Sequence, residues 1–378
     1  MLATYYALAK PGIIYGNAVT ATAGFFLASR GHINVWLLLA TLVGISLTIG
    51  CGCVLNNYID RGIDQKMART KKRALAQGSI PAAHALIYAA LLGLAGLGLL
   101  ATAINLLTVW LGMAGLLFYV VIYGLAKRRT VYGTIVGSIA GALPPVAGYT
   151  AVTGRLDGGA WLLFLILALW QMPHFYAIAM YRHAEYAAAG LPVLPVVKGM
   201  HTAKIHIVAY IAAFTLAVVG LKLVGYASWT LAIAGGCLGL IWLAKGIIGW
   251  NGNNDKQWSR AMFFMSLIVI TLLSLLIAFD TMYTIVMVLV VHILAAIGSL
   301  VLTTYLLIAP SAKRLKATYA LAGLTLASGT ALVWNRPAHI MQACLMGLLY
   351  MAIVAYGIIT AHNKLAVQTV RSNERSHR

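Results

Sequence analysis

Acidic residues are almost missing from this chain: Asp and Glu together number 7 among 378 residues, against 27 Lys and Arg. Charged residues of either sign make up only 9% of the sequence, far too few for the mixed-charge surface of a water-soluble protein. Cysteine is scarce as well. Cys51, Cys53, Cys237 and Cys344 all lie in apolar stretches, which suits small buried thiols and speaks against a disulfide framework or a zinc site. Cys51 and Cys53 stand two residues apart, so on a helix they point in different directions and do not make a redox or metal pair. No basic residue precedes Lys10, and the first apolar segment continues to Arg30 as one of many equivalent runs, so it is not read as a removable signal peptide.

What the chain has instead is apolar length. Hydrophobic residues make up 62%, and runs of about 18 to 25 residues recur from end to end, the length that crosses a roughly 30 Å hydrocarbon layer. The expected fold is all-α, a polytopic bundle in the lipid bilayer. Spans are expected near 13–29, 35–57, 82–104, 106–124, 132–152, 160–180, 205–224, 228–249, 261–279, 282–308, 315–334 and 338–361.

The net charge of +20 follows the loops and not a single face, which argues against nucleic acid as a partner. With the N-terminus inside, all basic residues except Arg30, Arg155, Lys222 and Arg336 fall on the inner side. The positive-inside rule then puts both termini in the cytoplasm.

The few acids are not scattered. Asn56, Asp60 and Asp64 recur every fourth residue, so an amide oxygen and two carboxylates share one stripe of a helix. Oxygen-only donors suit Mg²⁺, which is usually held by one or two carboxylates together with a substrate's phosphates. Arg69, Lys71, Lys72 and Arg73 follow directly and supply phosphate-pairing cations. The first reading is therefore Mg²⁺ plus a diphosphate, at the water-facing end of a span. A second cluster lies four spans on: His174, Tyr181, Arg182, Glu185, Tyr186 and Lys198, with Pro192 and Pro195 breaking the chain before the next span. Glu185 is expected opposite the first cluster, to hold a second Mg²⁺ or act on a proton. Between the two, Lys127 and Arg128 are candidates to reach a diphosphate or the carboxylates of a large amphiphilic acceptor. Gly133, Gly137, Gly141 and Gly148 are read as helix-packing positions.

The Asn-x-x-x-Asp-x-x-x-Asp stripe resembles the first motif of the UbiA-type intramembrane prenyltransferases. LAKPGIIYGN, NNYIDRGIDQKMART, the AKRRT loop, GALPPVAGYTAVTG, WQMPHFYAIAMYR and AGLPVLPVVKG are similar to that family's haem-farnesylating branch, over about residues 5–280. The resemblance implies a nine-helix core with a cavity open to the cytoplasmic side of a prokaryotic inner membrane. There farnesyl diphosphate and haem B, the latter a substrate and not a prosthetic group, become haem O and diphosphate. It implies Mg²⁺ on Asn56, Asp60 and Asp64, and catalytic roles for Asp60, Asp64, Arg69 and Glu185. Substrate contacts are implied for Asn56, Lys72, Arg73, Lys127, Arg128, His174, Tyr181, Arg182 and Lys198, with His174 a candidate for haem iron or a proton. Two positions depart from the family pattern: Glu185 stands where Asp is common, and Ala74 where proline is usual.

The division expected is 1–280 for the prenyltransferase domain, 281–362 for a C-terminal extension of three membrane helices, and 363–378 for a basic, disordered cytoplasmic tail. The extension reads as a packing appendix. The alternatives are a fused partner of terminal oxidase or haem A synthase machinery, or a haem-handling module using His292 or His339. A transporter would carry ionisable groups at mid-span, and no acid here does. The alternative enzyme reading is prenyl transfer to an aromatic acid or quinone precursor.

Overall fold

The computed structural model describes residues 2–250, 252, 254–335 and 340–376, with side chains left aside at 2, 281–290, 331, 334–335, 340, 342–343 and 367–376. Every regular element among them is a helix: α1 (Leu2–Leu8), α2 (Pro11–Ser29), α3 (Val35–Asp64), α4 (Ala82–Ala103), α5 (Leu106–Leu116), α6 (Tyr123–Arg129), α7 (Gly133–Thr153), α8 (Gly158–Tyr181), α9 (His183–Ala188), α10 (Leu194–Leu223), α11 (Trp229–Ile248), α12 (Asp255–Ile308), α13 (Ala312–Asn335) and α14 (Ile340–Ser376). A π-helical turn, Leu117–Ile122, joins α5 to α6.

Polar residues in the short breaks start the helices. Asn34 accepts the Leu37 N–H at 3.1 Å and begins α3, and Asn105 accepts the Thr108 N–H at 2.9 Å and begins α5. The Asn105 amide also donates to the Thr150 carbonyl at 2.9 Å, tying that start to the end of α7. Asp157 caps α8 and Ser228 caps α11. Each cap satisfies a backbone donor that lipid could not.

The chain divides into two compact units, Met1–Thr281 and Met282–Arg378. Among the described residues eleven helices are long and apolar enough to cross a membrane, nine of them within the first unit. The expected span 315–334 falls in α13, which is not among the eleven and opens on Lys313, Arg314 and Lys316. The tail expected to be disordered differs too: α14 continues as helix through Ser376.

In the first unit the largest core gathers around α8 and α10, with Met172, Tyr176, Ile207, Ile211, Phe214 and Trp242 among its buried side chains. Close helix approach is built from glycine. A Cβ added at Gly24 would run into the Pro145 carbonyl oxygen, and one at Gly148 into the Ala21 carbonyl oxygen, so α2 and α7 cross backbone to backbone. Gly141 makes room for the Gln171 amide, which donates to the Ser138 and Leu167 carbonyls. Such small-residue contacts hold helices together where hydrophobicity cannot, because lipid tails are as apolar as leucine.

In the second unit Ser299 bonds the Tyr350 hydroxyl at 2.7 Å and Lys364 donates to the Leu307 carbonyl at 2.8 Å. His292 Nδ1 lies 3.1 Å from the Thr325 carbonyl, an acceptor only, so this nitrogen donates and ties α12 to α13. His339 lies outside the described residues. Two of the four cysteines, Cys51 and Cys53, are buried as expected, while Cys237 and Cys344 are exposed on apolar helices, the surface a membrane protein turns to lipid.

The α2–α7 crossing is open to test. Gly148→Ala should destabilise the detergent-solubilised protein by about 2 kcal/mol through backbone overpacking. Gly12→Ala, which meets open space, should not destabilise it. Equal unfolding midpoints for the two variants would show that the crossing is not tight.

Candidate active site

The Asn56–Asp60–Asp64 stripe occupies the last turns of α3, where aligned peptide dipoles already place partial negative charge. Two carboxylates there are unfavourable by themselves, and burial makes them more so: Asp60 is 8% exposed and Asp64 5%. The expectation that these acids face water is thus corrected. What surrounds the stripe is a ring of four cations drawn from three other stretches of chain.

Asp60 is gripped by Lys127, whose ammonium donates to Oδ2, and by Arg128, whose Nη2 donates to Oδ1 at 2.8 Å. Both cations belong to the last turn of α6. The wide π-helical turn upstream resets the face that α6 presents, a distortion common at functional sites. Asp64 receives Arg73 Nη1 at both oxygens, 3.0 and 2.9 Å. Arg73 arrives there because residues 65–80 fold back in consecutive turns over buried Met67, Leu75, Ala76 and Ile80. The Thr70 hydroxyl caps the Asp64 carbonyl at 3.0 Å, and Gln65 donates to the Ala76 carbonyl at 2.8 Å.

Asn56 brings in a residue that sequence reasoning missed. Lys10 Nζ donates to Asn56 Oδ1 at 3.0 Å, leaving the buried Asn56 Nδ2 with no acceptor. Lys10 lies just before Pro11 with φ 53° and ψ 68°, the left-handed region that a side-chain-bearing residue enters at a cost of about 1–3 kcal/mol. Burial pushes its ammonium down to about 8, with Arg73 and Lys127 adding to the depression while Cys53 and Asp60 oppose it. The legible signal was a lone lysine at the head of an apolar run, inside a motif already quoted. Four cations now face two carboxylates, an excess suited to an anion.

The basic run does not act as a block. Arg73 turns in, whereas Lys72 is exposed and makes no side-chain bond among the described residues. Lys198 is exposed and unbonded in the same sense. Arg69 is exposed but bears on Tyr186: burial raises the phenol, and Arg69 and Arg182 pull it back. Tyr186 is therefore where the two clusters meet.

The second cluster is arranged differently from expectation. Glu185 Oε1 takes the Arg182 Nη1 donor at 2.9 Å, and its Oε2 is buried without a partner. No described bond joins it to Asp60 or Asp64. It lines a cleft of about 400 Å³ with Tyr181, Arg182, Lys256, Arg260, Phe263 and Phe264, the last four contributed by α12. His174 sits behind Phe263, its ring 5.0 Å away, and stacks on Trp170 at 4.9 Å. The Ser266 hydroxyl spends its single proton on the Phe263 carbonyl at 2.6 Å, so at 2.8 Å it accepts from His174 Nδ1. The tautomer that follows leaves a lone pair on His174 Nε2.

Residues 17–268 match the UbiA prenyltransferase family. A protoheme IX farnesyltransferase of Edwardsiella ictaluri is 50% identical over 281 residues, covering 74% of this chain and 95% of that protein. One from Citrobacter koseri is 50% identical over 283 residues, 75% and 96% of the respective lengths. Among solved structures, a digeranylgeranylglyceryl phosphate synthase superposes with a TM-score of 0.62 at 16% identity, covering 74% of this chain and 98% of that one. A UbiA homolog from Archaeoglobus fulgidus bound to DMAPP and Mg²⁺ gives 0.54 at 16% identity, covering 73% and 99%. The two structures share the fold. With the family matched over most of the first unit and half of the aligned residues shared with those enzymes, the chain belongs to the UbiA prenyltransferase family and is an integral membrane prenyltransferase.

Proposed function

We propose that the chain transfers the farnesyl group of farnesyl diphosphate to a vinyl group of haem B, giving haem O and diphosphate. The observation that carries the acceptor is the 50% identity, over 95% of its length, to a protoheme IX farnesyltransferase. The donor is supported by the buried stripe ringed by Lys10, Arg73, Lys127 and Arg128.

Asn56 Oδ1 and the carboxylates of Asp60 and Asp64 are three hard oxygen donors on one helix face, and as a donor set they fit Mg²⁺. Bound there with the diphosphate, the ion would neutralise charge on the leaving group. The chain's own part is to move cations. Lys127, Arg128 and Arg73 neutralise the carboxylates, and with a metal held by those oxygens the same ammonium and guanidinium groups would be freed to pair with diphosphate oxygens. The Asn56 Nδ2 group, unpartnered in the interior, is free to donate to a phosphate oxygen. As the allylic C–O bond breaks, the cations stabilise the departing diphosphate, and the apolar bundle keeps water from the carbocation. The vinyl group adds to that cation through a new C–C bond. Water then adds to the resulting porphyrin-side cation and gives up a proton, for which His174 Nε2 and Glu185 Oε2 are the available acceptors. The loop charges support an inner-membrane protein of a prokaryote with both termini cytoplasmic.

The direct test offers purified protein farnesyl diphosphate with haem B and 4-hydroxybenzoate together. Haem O is the expected product; prenylated benzoate as the main product would move the chain to the aromatic-acid class.

Asp60→Asn and Asp64→Asn should each lower turnover at least about 100-fold. Because Asp60 is a buried ion-pair partner, Asp60→Asn should also cost about 3 kcal/mol of stability, so rates are normalised to folded protein. Lys10→Ala should raise the KM for farnesyl diphosphate with Lys10→Arg largely restoring it. Unchanged rates in both Asp variants would remove the metal–diphosphate assignment.

The site residues all lie before Thr281, and we assign the second unit a packing or partner-binding role. Truncation after Thr281 should leave haem O formation per folded molecule within about threefold. A collapse reproduced by His292→Ala in the full chain would make the extension part of the haem site.

A further inference from the structure

The cleft between α8–α9 and the start of α12 has no task in diphosphate handling. The cations that face Asp60 and Asp64 are Lys10, Arg73, Lys127 and Arg128, and none of them lines it. Its own lining holds three cations, Arg182, Lys256 and Arg260, and one carboxylate, Glu185. Arg182 is committed to Glu185 through Nη1 and to the Tyr181 hydroxyl through Nε at 3.1 Å. Lys256 and Arg260 have no ion-pair partner among the described residues, so the cleft carries two uncompensated positive charges.

Their arrangement is directional. Lys256 and Arg260 are one helical turn apart on α12, and Phe263 and Phe264 follow at the next turn, so the helix presents charge at its start and aromatic surface deeper in. Phe263 is backed by further rings: Tyr181, which also lines the cleft, lies 5.9 Å from it, and behind it His174 lies 5.0 Å away, stacked on Trp170. A ligand that fits has two negative groups on one edge and a flat, conjugated, apolar body behind them. Guanidinium and ammonium groups pair with carboxylates at the edge, and aromatic faces meet the ring.

We infer that this cleft is the acceptor subsite, in which Lys256 and Arg260 bind the two propionate carboxylates of the tetrapyrrole while Phe263, Phe264 and Tyr181 line its ring. The inference rests on the haem reading above and adds to it two specificity residues on α12. None of the cations that face Asp60 and Asp64 lines this cleft, so donor and acceptor charges are received by separate groups. Glu185 keeps Arg182 out of competition for the propionates.

The test uses full-length protein in phosphatidylcholine nanodiscs, with haem B and haem B dimethyl ester as acceptors. The variants are K256Q, R260Q, the double variant, and the charge-keeping K256R and R260K. Each lost cation should raise the KM for haem B about tenfold, with the KM for farnesyl diphosphate unchanged and the charge-keeping variants near wild type. The ester, which has no carboxylates, should be a poor acceptor for wild type and no worse for the double variant. An unchanged haem B KM in the double variant overturns the inference, as does an equal loss on the ester, which marks a merely structural role. If the double variant instead loses co-purified phosphatidylglycerol and keeps its haem B KM, the cleft is a lipid headgroup site and the inference fails. Failure of the haem reading is seen separately, as wild-type protein that prenylates another acceptor and leaves haem B untouched.

Discussion

Two carboxylates buried at the negative end of a long helix are the constraint around which the first unit is organised. Asp60 and Asp64 could not remain ionised there without compensation, since burial and the helix dipole both oppose the charge. Compensation comes from far along the chain. The π-helical turn before α6 delivers Lys127 and Arg128, the folded-back segment after α3 delivers Arg73, and a left-handed residue before α2 delivers Lys10 to Asn56. Each of these local irregularities would be a cost in isolation. Together they make a site whose negative oxygens and positive nitrogens are already paired, the arrangement from which the proposed exchange of partners with a metal and a diphosphate would start.

In the proposed function the same economy of charge would separate the two substrates. Three of the cations around α3, Arg73, Lys127 and Arg128, are paired with acids and are released when something else takes the carboxylates, which suits a leaving group that arrives with its own divalent ion. Cations at the start of α12 have no acid to bind, which suits a ligand that brings carboxylates of its own. Tyr186 feels cations of both clusters: burial raises its phenol, and Arg69 and Arg182 lower it. The bundle around them adds little polarity. Its contribution is exclusion of water by helices that approach closely, backbone to backbone at Gly24 and Gly148.

Much of this was legible in the residues. Apolar runs of membrane-crossing length stand out in a chain with seven acids, and a period of four placed Asn56, Asp60 and Asp64 on one face before any fold was known. Local pattern also marked the basic loop at Lys127 and Arg128, because three adjacent cations interrupt an apolar background. It misjudged the acids as water-facing, since burial depends on what packs over a helix end and not on the helix itself. It treated Arg69 to Arg73 as one group, whereas turn geometry sends Arg73 inward and leaves Lys72 outside.

The sequence by itself determined the solvent, the number of core spans and the oxygen donors, because each depends on composition or on the period of a single helix. Only the tertiary structure decided which cation meets which acid. Lys10 and Asn56 are 46 residues apart, Lys127 and Asp60 67 apart, and no local periodicity relates them. It likewise decided that Glu185 serves a cleft with Lys256 and Arg260 instead of the α3 carboxylates, since that choice is made where the end of α8 packs against the start of α12. Pairing of buried charges is a property of contacts between distant segments, and contacts of that kind exist only once the helices have packed.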